Sequence, residues 1–469
     1  MAQSLVPQMP QQLFTKELRL NVSVEALWQW HERPGAFERL SPPWDDVRIV
    51  ERSGGLTDGS RVVLDVRPTL SPVATRWVME HRDYQRGTQF RDVMRSGPFA
   101  AWDHLHAMRS EGVSASVLTD RIAYSLPLGA LADLVAGGFV ARTLERTFRY
   151  RHAVTANDLL RHARFASHGP QRIAITGATG FIGSALSHFL TTGGHTVLRI
   201  GRGSVRPGAV DVTWDPSRGL LDARALEGCD AVIHLAGASV AERWTAAHRR
   251  AVMDSRVQGT TLIARAIAQL DQKPRVLLSG SAIGIYGDRG DELLDETSPP
   301  GQGYLVDVAR AWEGATEAAE QAGVRTVHLR TGIVLGAAGG ALAKQLPIYR
   351  LGAGGPIAGG KYWQSCIALD DQIGAMHHAL FTESLRGPMN LVGPTPVTQG
   401  DFARTLGRVL GRPAFAPVPR VALELLFGGE MTREVLTASQ RVVPTRLTGS
   451  GFTFAHATLE QQMRFELGG

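Results

Sequence analysis

The sequence predicts an α/β protein: a doubly wound parallel sheet with a C-terminal lobe, preceded by an α+β module on a curved antiparallel sheet. Three observations predict it. The run Arg172-Ile-Ala-Ile-Thr176 passes into Gly177-Ala-Thr-Gly180-Phe-Ile-Gly183, and the residues to Leu190 place apolar side chains at helical spacing. From there to about residue 330, strand-like and helical segments alternate at βαβ spacing. Before it, seven strand-like runs are grouped with a helical excursion after the first and a long helical pattern after the last.

Composition narrows the class. A chain of 469 residues holds two or three domains, each able to bury its own core. The two cysteines, Cys229 and Cys366, are far apart and lack metal-ligand spacing, which fits a reducing compartment and a cytoplasmic protein. Met1 to Gln12 has neither a basic start nor an apolar core, so no leader is expected. The weakly polar run Leu126 to Ala141 is broken by Asp133 and diluted by glycine, so no stable membrane insertion is expected. The net charge is +6, but the arginines are dispersed among acids, so nucleic acid is not an expected partner.

In the N-terminal third, Leu13–Asn21 alternates as a strand and Val24–His31 reads as a short helix. Strands follow at 47–52, 61–67, 75–82, 89–95, 101–108 and 114–126, joined by Gly, Asp and Pro turns, and a helix runs from about Leu131 to His162. His104 and His106 stand two apart on one strand and so share a face, but no third ligand is evident and no metal site is assigned. The stretches Pro34-Gly-Ala-Phe-Glu-Arg-Leu-Ser-Pro-Pro-Trp44 and Gly97-Pro-Phe-Ala-Ala-Trp-Asp-His104 resemble the START-like (SRPBCC) ligand-binding superfamily. That resemblance implies a helix-grip fold with an apolar-ligand cavity, for which Trp77, Phe90, Phe99, Trp102 and Tyr124 are candidate lining. Residues 161–171 read as a linker.

The glycine turn carries the chemistry of the second part. Gly177 permits a tight turn, Gly180 lets the backbone approach a pyrophosphate, and Gly183 lets the helix lie against the sheet. Its N-terminal amides and positive dipole end would face the anion. The strand Thr196–Ile200 should end near an acid if the cofactor were NAD; the chain reads Arg199-Ile-Gly-Arg202 instead. A guanidinium there suits a 2′-phosphate, so NADP(H) is the expected cofactor. Further strands are expected at 210–214, 231–235, 275–279 and 325–330, with Leu235-Ala236-Gly237 ending the fourth.

Taken in order, Thr-Gly-x-x-Gly-x-x-Gly, Leu-Ala-Gly, Arg-Trp-Thr at 243–245, Asp-Ser-Arg-Val at 254–257, Tyr-Gly-Asp-Arg-Gly-Asp at 286–291, Leu-Arg-Thr-Gly-Ile-Val-Leu-Gly at 329–336, Leu-Gly-x-Gly-Gly-Pro at 351–356 and Ala-Ser-Gln-Arg-Val-Val-Pro at 438–444 resemble the epimerase-like, atypical extended short-chain dehydrogenase family with its C-terminal extension. The resemblance covers about 171–466 and implies a Rossmann-type sheet. It implies cofactor contacts at Gly177, Thr179, Gly180, Phe181, Ile182, Gly183, Arg202, Leu235, Ala236, Gly237, Arg256 and Val334. For Arg256 a phosphate contact and a structural ion pair both stand as readings.

Such enzymes pair a Tyr with a Lys four residues on, one helical turn apart, beside a Ser or Thr. None of the four lysines here has a Tyr four residues before it. Aligning Trp312-Glu313 with the usual end of the motif puts Leu305 and Ala309 in those places. Ser281 keeps the serine position; Tyr286, with Tyr304 and Asp288 as alternatives, is the candidate acid or base, and Arg310 a nearby cation. The Gly-rich stretch 346–360 reads as a loop, and 416–469 as the extension completing a substrate lobe. The expected organisation is a START-like domain over 1–165, an NADP(H)-binding domain over 171–415 and the extension over 416–469. Two readings follow: an oxidoreductase or epimerase acting on a small molecule, or a non-catalytic NADP(H) sensor.

Overall fold

The computed structural model describes residues 12–67, 73–127 and 130–469. The leader reading over residues 1–11 and two positions of the weakly polar run, 128 and 129, lie outside the described residues. The chain divides into two compact units, residues 1–164 and 165–467.

In the first unit seven strands form one antiparallel sheet: β1 (Gln12–Leu20), β2 (Asp46–Arg52), β3 (Arg61–Arg67), β4 (Thr75–Gln85), β5 (Gln89–Ser96), β6 (Ala101–Ser110) and β7 (Ser116–Ser125). Their order is β1-β7-β6-β5-β4-β3-β2, so every neighbour except β1–β7 is a sequential hairpin. Two helices, α1 (Val24–Glu32) and α2 (Ala36–Leu40), occupy the connection from β1 to β2, and α3 (Ala130–Arg164) closes the unit. The Ser23 hydroxyl accepts from Ala26 N at 3.2 Å and so starts α1. The α3 side chains Leu144 and Phe148 pack on Ile122, Tyr124, Phe14 and Trp102 of the sheet. A bidentate pair between Arg39 and buried Asp158, at 2.9 and 2.6 Å, ties α2 to α3. Helix α3 extends to Arg164 and a further helical turn spans Ala166–His168, so much of the expected linker is helical.

The second unit is a doubly wound sheet. Its strands β8 (Arg172–Thr176), β9 (Thr196–Gly201), β10 (Val212–Asp215), β11 (Leu220–Leu221), β12 (Ala231–His234) and β13 (Val276–Ala282) are joined by Arg325–Thr331 and Gly387–Leu391. The order is β11-β10-β9-β8-β12-β13 followed by those two strands; only β11 runs antiparallel. Strand order therefore reverses between β8 and β12, the crevice where such sheets take ligands. Helices α4 (Phe181–Thr192), α5 (Ala246–Gln269) and α6 (Tyr304–Gly314) follow β8, β12 and β13. One core layer puts Leu186, Phe189 and Leu190 of α4 against Ile173, Ile175 and Ile233; the opposite layer puts Ile263 and Ile267 of α5 against Ala174, Val232 and Leu277. These strands are buried on both faces, which is why they read as unbroken apolar runs. Residues Gly340–Arg350 form a helix rather than the start of the Gly-rich loop, apolar Leu342, Leu346 and Tyr349 being drawn into the core with Phe402 and Leu406. Among the described residues no helix is long and apolar enough to cross a membrane.

Candidate functional site

The glycine turn sits at the carboxyl end of β8, at the reversal of strand order. Gly177 has φ +71°, and a Cβ there would stand 3.1 Å from the backbone of Leu235 and Ala236 on β12's exit. A Cβ on Gly183 would lie 2.2 Å from the Gly177 carbonyl oxygen, so the helix can start this close only on glycine. Gly180 is the N-cap of α4; a Cβ there would meet only the Gly177 oxygen, at 3.2 Å, with open space otherwise. No side chain caps α4 and no acid lies in its first turn. Its leading amides therefore point at the crevice with no side-chain acceptor, as an anion site requires.

The opposite wall is built by Thr176 and His234. The Thr176 hydroxyl accepts from Leu235 N at 3.1 Å and Ala236 N at 3.3 Å and shares a 2.7 Å bond with His234 Nδ1. Burial pushes His234 down to about 4, with Arg256 adding to the effect, so the imidazole is neutral. Sequence reading missed both residues; Thr176 reads as one more β-branched strand position, and the pairing with His234 needs β8 and β12 side by side.

Leu235, Ala236, Gly237 and Arg256 of the predicted cofactor residues lie along this edge. Arg256, on α5, donates from Nη1 to the Ala238 carbonyl at 3.0 Å and to Val252 O at 3.2 Å, and its guanidinium lies 4.7 Å from the Trp312 ring centre. A Cβ on Gly237 would come within 3.4 Å of it. No carboxylate pairs with Arg256 among the described residues, so the ion-pair reading is not what the structure contains. Burial draws its pKa down to about 10, leaving a charge that is poorly solvated. Arg202 follows β9, is exposed, and borders a cleft of about 450 Å³ with Trp214, Ser217 and Leu220. Phe181 and Val334 O both flank Gly340, while Gly336 and Gly339 abut the Phe181 ring, so Phe181 is a packing residue beside the turn. Thr179 is exposed in the turn and Ile182 packs on the core.

The candidate catalytic pair lies deeper. Ser281 Oγ donates to Glu313 Oε1 at 2.7 Å. Glu313 is gripped by Arg330 at 2.8 and 3.0 Å, Arg330 donates to the Tyr286 oxygen at 3.0 Å, and the Tyr286 hydroxyl donates to Asn390 Oδ1 at 2.8 Å. Burial opposes the Glu313 charge, yet Arg330 overrides it and the carboxylate sits below its usual range. Tyr286 is fully buried and its phenol is raised by burial. Ser281 and Tyr286 are thus brought together, but through a closed chain in which the phenol is engaged as donor and acceptor.

Next to this chain a cleft of about 210 Å³ is lined by Asp288, Leu305, Arg420, Arg433, Glu434 and Gly284 among others. Leu305, at the usual tyrosine place, contributes no proton donor, and Ala309 is buried. Glu434 accepts from Tyr304 N at 3.1 Å and Leu305 N at 2.9 Å, capping α6 from the C-terminal segment. Tyr304 donates to the Arg249 carbonyl under the Arg249 guanidinium, and Arg310 is exposed.

A glycine turn on an uncapped helix at the reversal point of a parallel sheet defines a dinucleotide-type α/β protein. The NAD dependent epimerase/dehydratase family matches residues 173–390, and a domain of unknown function (DUF1731) matches 418–465. An epimerase family protein of Mycobacterium bovis is 38% identical over 294 residues, 62% of this chain and 96% of that one. This chain belongs to that epimerase family. Among solved structures, the nucleoside-diphosphate sugar epimerase of Corynebacterium glutamicum is similar at TM-score 0.79 and 30% identity, covering 97% of this chain and 90% of that chain. Human epimerase family protein SDR39U1 (isoform 2) with NADPH is similar at TM-score 0.58 and 32% identity, covering 63% of this chain and 99% of that one.

Proposed function

We propose that the second unit binds NADP(H), its pyrophosphate on the α4 amides, its 2′-phosphate at Arg202 and a further phosphate oxygen within reach of Arg256. The observation that carries this reading is the uncapped, acid-free N-terminus of α4 behind Gly180. Arg202 beside β9, exposed at a cleft, and the solved human relative with NADPH support the phosphorylated cofactor over NAD. The nicotinamide, when bound, supplies hydride chemistry. This chain would contribute Ser281 as hydrogen-bond donor, Glu313 and Arg330 to orient it, and Tyr286 as a positioning residue. A small polar molecule fits the cleft beside Leu305, between Arg420, Arg433 and Asp288. For the first unit the reading is a START-like module that takes an apolar ligand, supported by its seven-stranded antiparallel sheet and the long α3 packed on it.

One observation favours a second reading, an NADP(H) sensor without turnover: Leu305 and Ala309 stand where a proton relay would, and Ser281 is already bonded to Glu313. Calorimetry with NADPH and NADH tests the binding claim. NADPH is expected to bind at least tenfold tighter, and Arg202→Ala to weaken NADPH about tenfold, 1.4 kcal/mol, while leaving NADH unchanged. No heat with NADPH, or equal loss for both cofactors, overturns it. Binding without turnover across a panel of carbonyl compounds selects the sensor.

A further inference from the structure

Outside the nucleotide site, the first unit carries a row of ionisable side chains across one face of its sheet. The register puts His81 (β4) opposite Asp92 (β5), Asp92 opposite His104 (β6), and His106 (β6) opposite Asp120 (β7). The side-chain period of two keeps His104 and His106 on the face shared by Trp102 and Tyr124, and His152 reaches the same place from α3. Five imidazole or carboxylate groups on neighbouring inward positions are not a packing solution, since polar groups inside cost energy unless fully matched.

We propose that Asp92, His104 and His106 form a binding site for one divalent first-row transition-metal ion, with Asp120 orienting the ligands. The three offer ligand atoms that all lie within 4.8 Å of one another. His106 Nε2 and Asp92 Oδ2 are hydrogen-bonded to each other at 3.3 Å; with that proton displaced by a metal the spacing is about the edge of a tetrahedron with metal–ligand bonds of roughly 2.0–2.1 Å. Asp120 accepts from His104 Nε2 at 2.9 Å and from His152 Nε2 at 2.8 Å. The first of these is the carboxylate–histidine arrangement that fixes a ligand's tautomer, and it leaves His104 Nδ1 without a hydrogen bond among the described residues.

The surroundings of the three ligands are polar as well. Asp92 Oδ1 and His106 Nδ1 are buried with no hydrogen bond, although His81 Nδ1 and Asp120 Oδ1 stand 2.6 and 2.9 Å from them. Among the described residues neither Asp92 nor Asp120 pairs with a lysine or arginine; both carboxylates are met by imidazoles, His81 and His106 at Asp92 and His104, His106 and His152 at Asp120. His104 and His106 are 2% and 6% exposed, while the Asp92 side chain keeps 24%, which gives an ion a way in. Two imidazoles and a carboxylate suit Zn²⁺, Fe²⁺ or Co²⁺ rather than Ca²⁺ or Mg²⁺.

The test uses the full chain, stripped with chelator and titrated with Co²⁺ as a visible probe. One Co²⁺ per chain is expected, with ligand-field absorption displaced by Zn²⁺. Asp92→Asn, nearly isosteric and at the partly exposed position, is expected to weaken uptake at least a hundredfold with the circular dichroism spectrum retained. His104→Gln should do the same. Should the folded protein take up no stoichiometric Co²⁺, or should Asp92→Asn and His104→Gln both bind it like the parent, the row is a hydrogen-bonded network and the proposal is lost. Neither the test nor its outcome depends on the nucleotide reading.

Discussion

Two helix N-termini in the second unit solve the same problem in opposite ways. Both α4 and α6 follow parallel strands and both begin after a glycine, Gly180 and Gly303. At α6 the first amides are taken by Glu434, delivered from 130 residues away. At α4 nothing in the side-chain complement takes them. An unsatisfied helix end is costly in a folded protein, so one end is consumed by the fold while the other, without a side-chain acceptor among the described residues, suits the proposed pyrophosphate. The difference locates the anion site more sharply than the glycine pattern alone.

The largest expected effect comes from making α4 resemble α6. Gly180 has φ −78° and ψ 174°, the extended backbone of an N-cap, and a Cβ there meets the Gly177 carbonyl oxygen at 3.2 Å and open space otherwise. Gly180→Asp should therefore gain a few tenths of a kcal/mol in unfolding free energy. The same carboxylate should weaken NADPH binding at least a hundredfold, about 2.7 kcal/mol, by calorimetry. A variant that is more stable and still binds would break the comparison.

A second test concerns the wall facing α4. Above pH 6.5 His234 is neutral in both folded and unfolded chains and contributes nothing. Between 6.5 and about 4 the unfolded chain takes up a proton that the buried imidazole refuses, so stability falls as pH drops through this window and levels off below it. Between pH 7 and 4.5 the contribution is about 2–3 kcal/mol. Urea unfolding at pH 7 and 4.5 should show that much less pH sensitivity in His234→Asn than in the parent; equal sensitivity would mean that the site is not closed to water.

The smallest effect belongs to α6. Glu434→Ala strips two amides of their acceptor and should lower unfolding free energy by about 1–2 kcal/mol while leaving the NADPH Kd within twofold. A large loss of cofactor affinity instead would show that the two ends are coupled.

Much of the fold was legible because it is local. Strands such as Arg61–Arg67 and the turn at Gly177–Gly183 declare themselves through β-branched runs, alternation and glycine, all within one window of sequence. Helix α2 was not seen, since Ala36–Leu40 is a single turn fixed by the Arg39–Asp158 pair. The candidate site was legible where one segment makes its geometry, at the glycine turn, and illegible where distant segments meet. The Glu434 cap, the Thr176–His234 bond, the closed chain from Ser281 to Asn390 and the approach of Asp92 to His104 each join residues that no spacing rule links. Tyr286 illustrates this: it reads as a candidate acid or base only because the usual Tyr and Lys are absent, and its engagement with Asn390 and Arg330 comes from two strands far along the chain.

Phe181 opens α4, and its ring is seated against Gly336, Gly339 and Gly340, where an added methyl would come within 2.4 to 3.3 Å of it. Peg and socket lie some 155 positions apart along the backbone, so neither can drift alone. A bulkier residue in the socket demands a slimmer peg, and a library that varies only one partner will be emptied of functional members. Anyone remodelling this protein's nucleotide preference should randomise the four positions jointly.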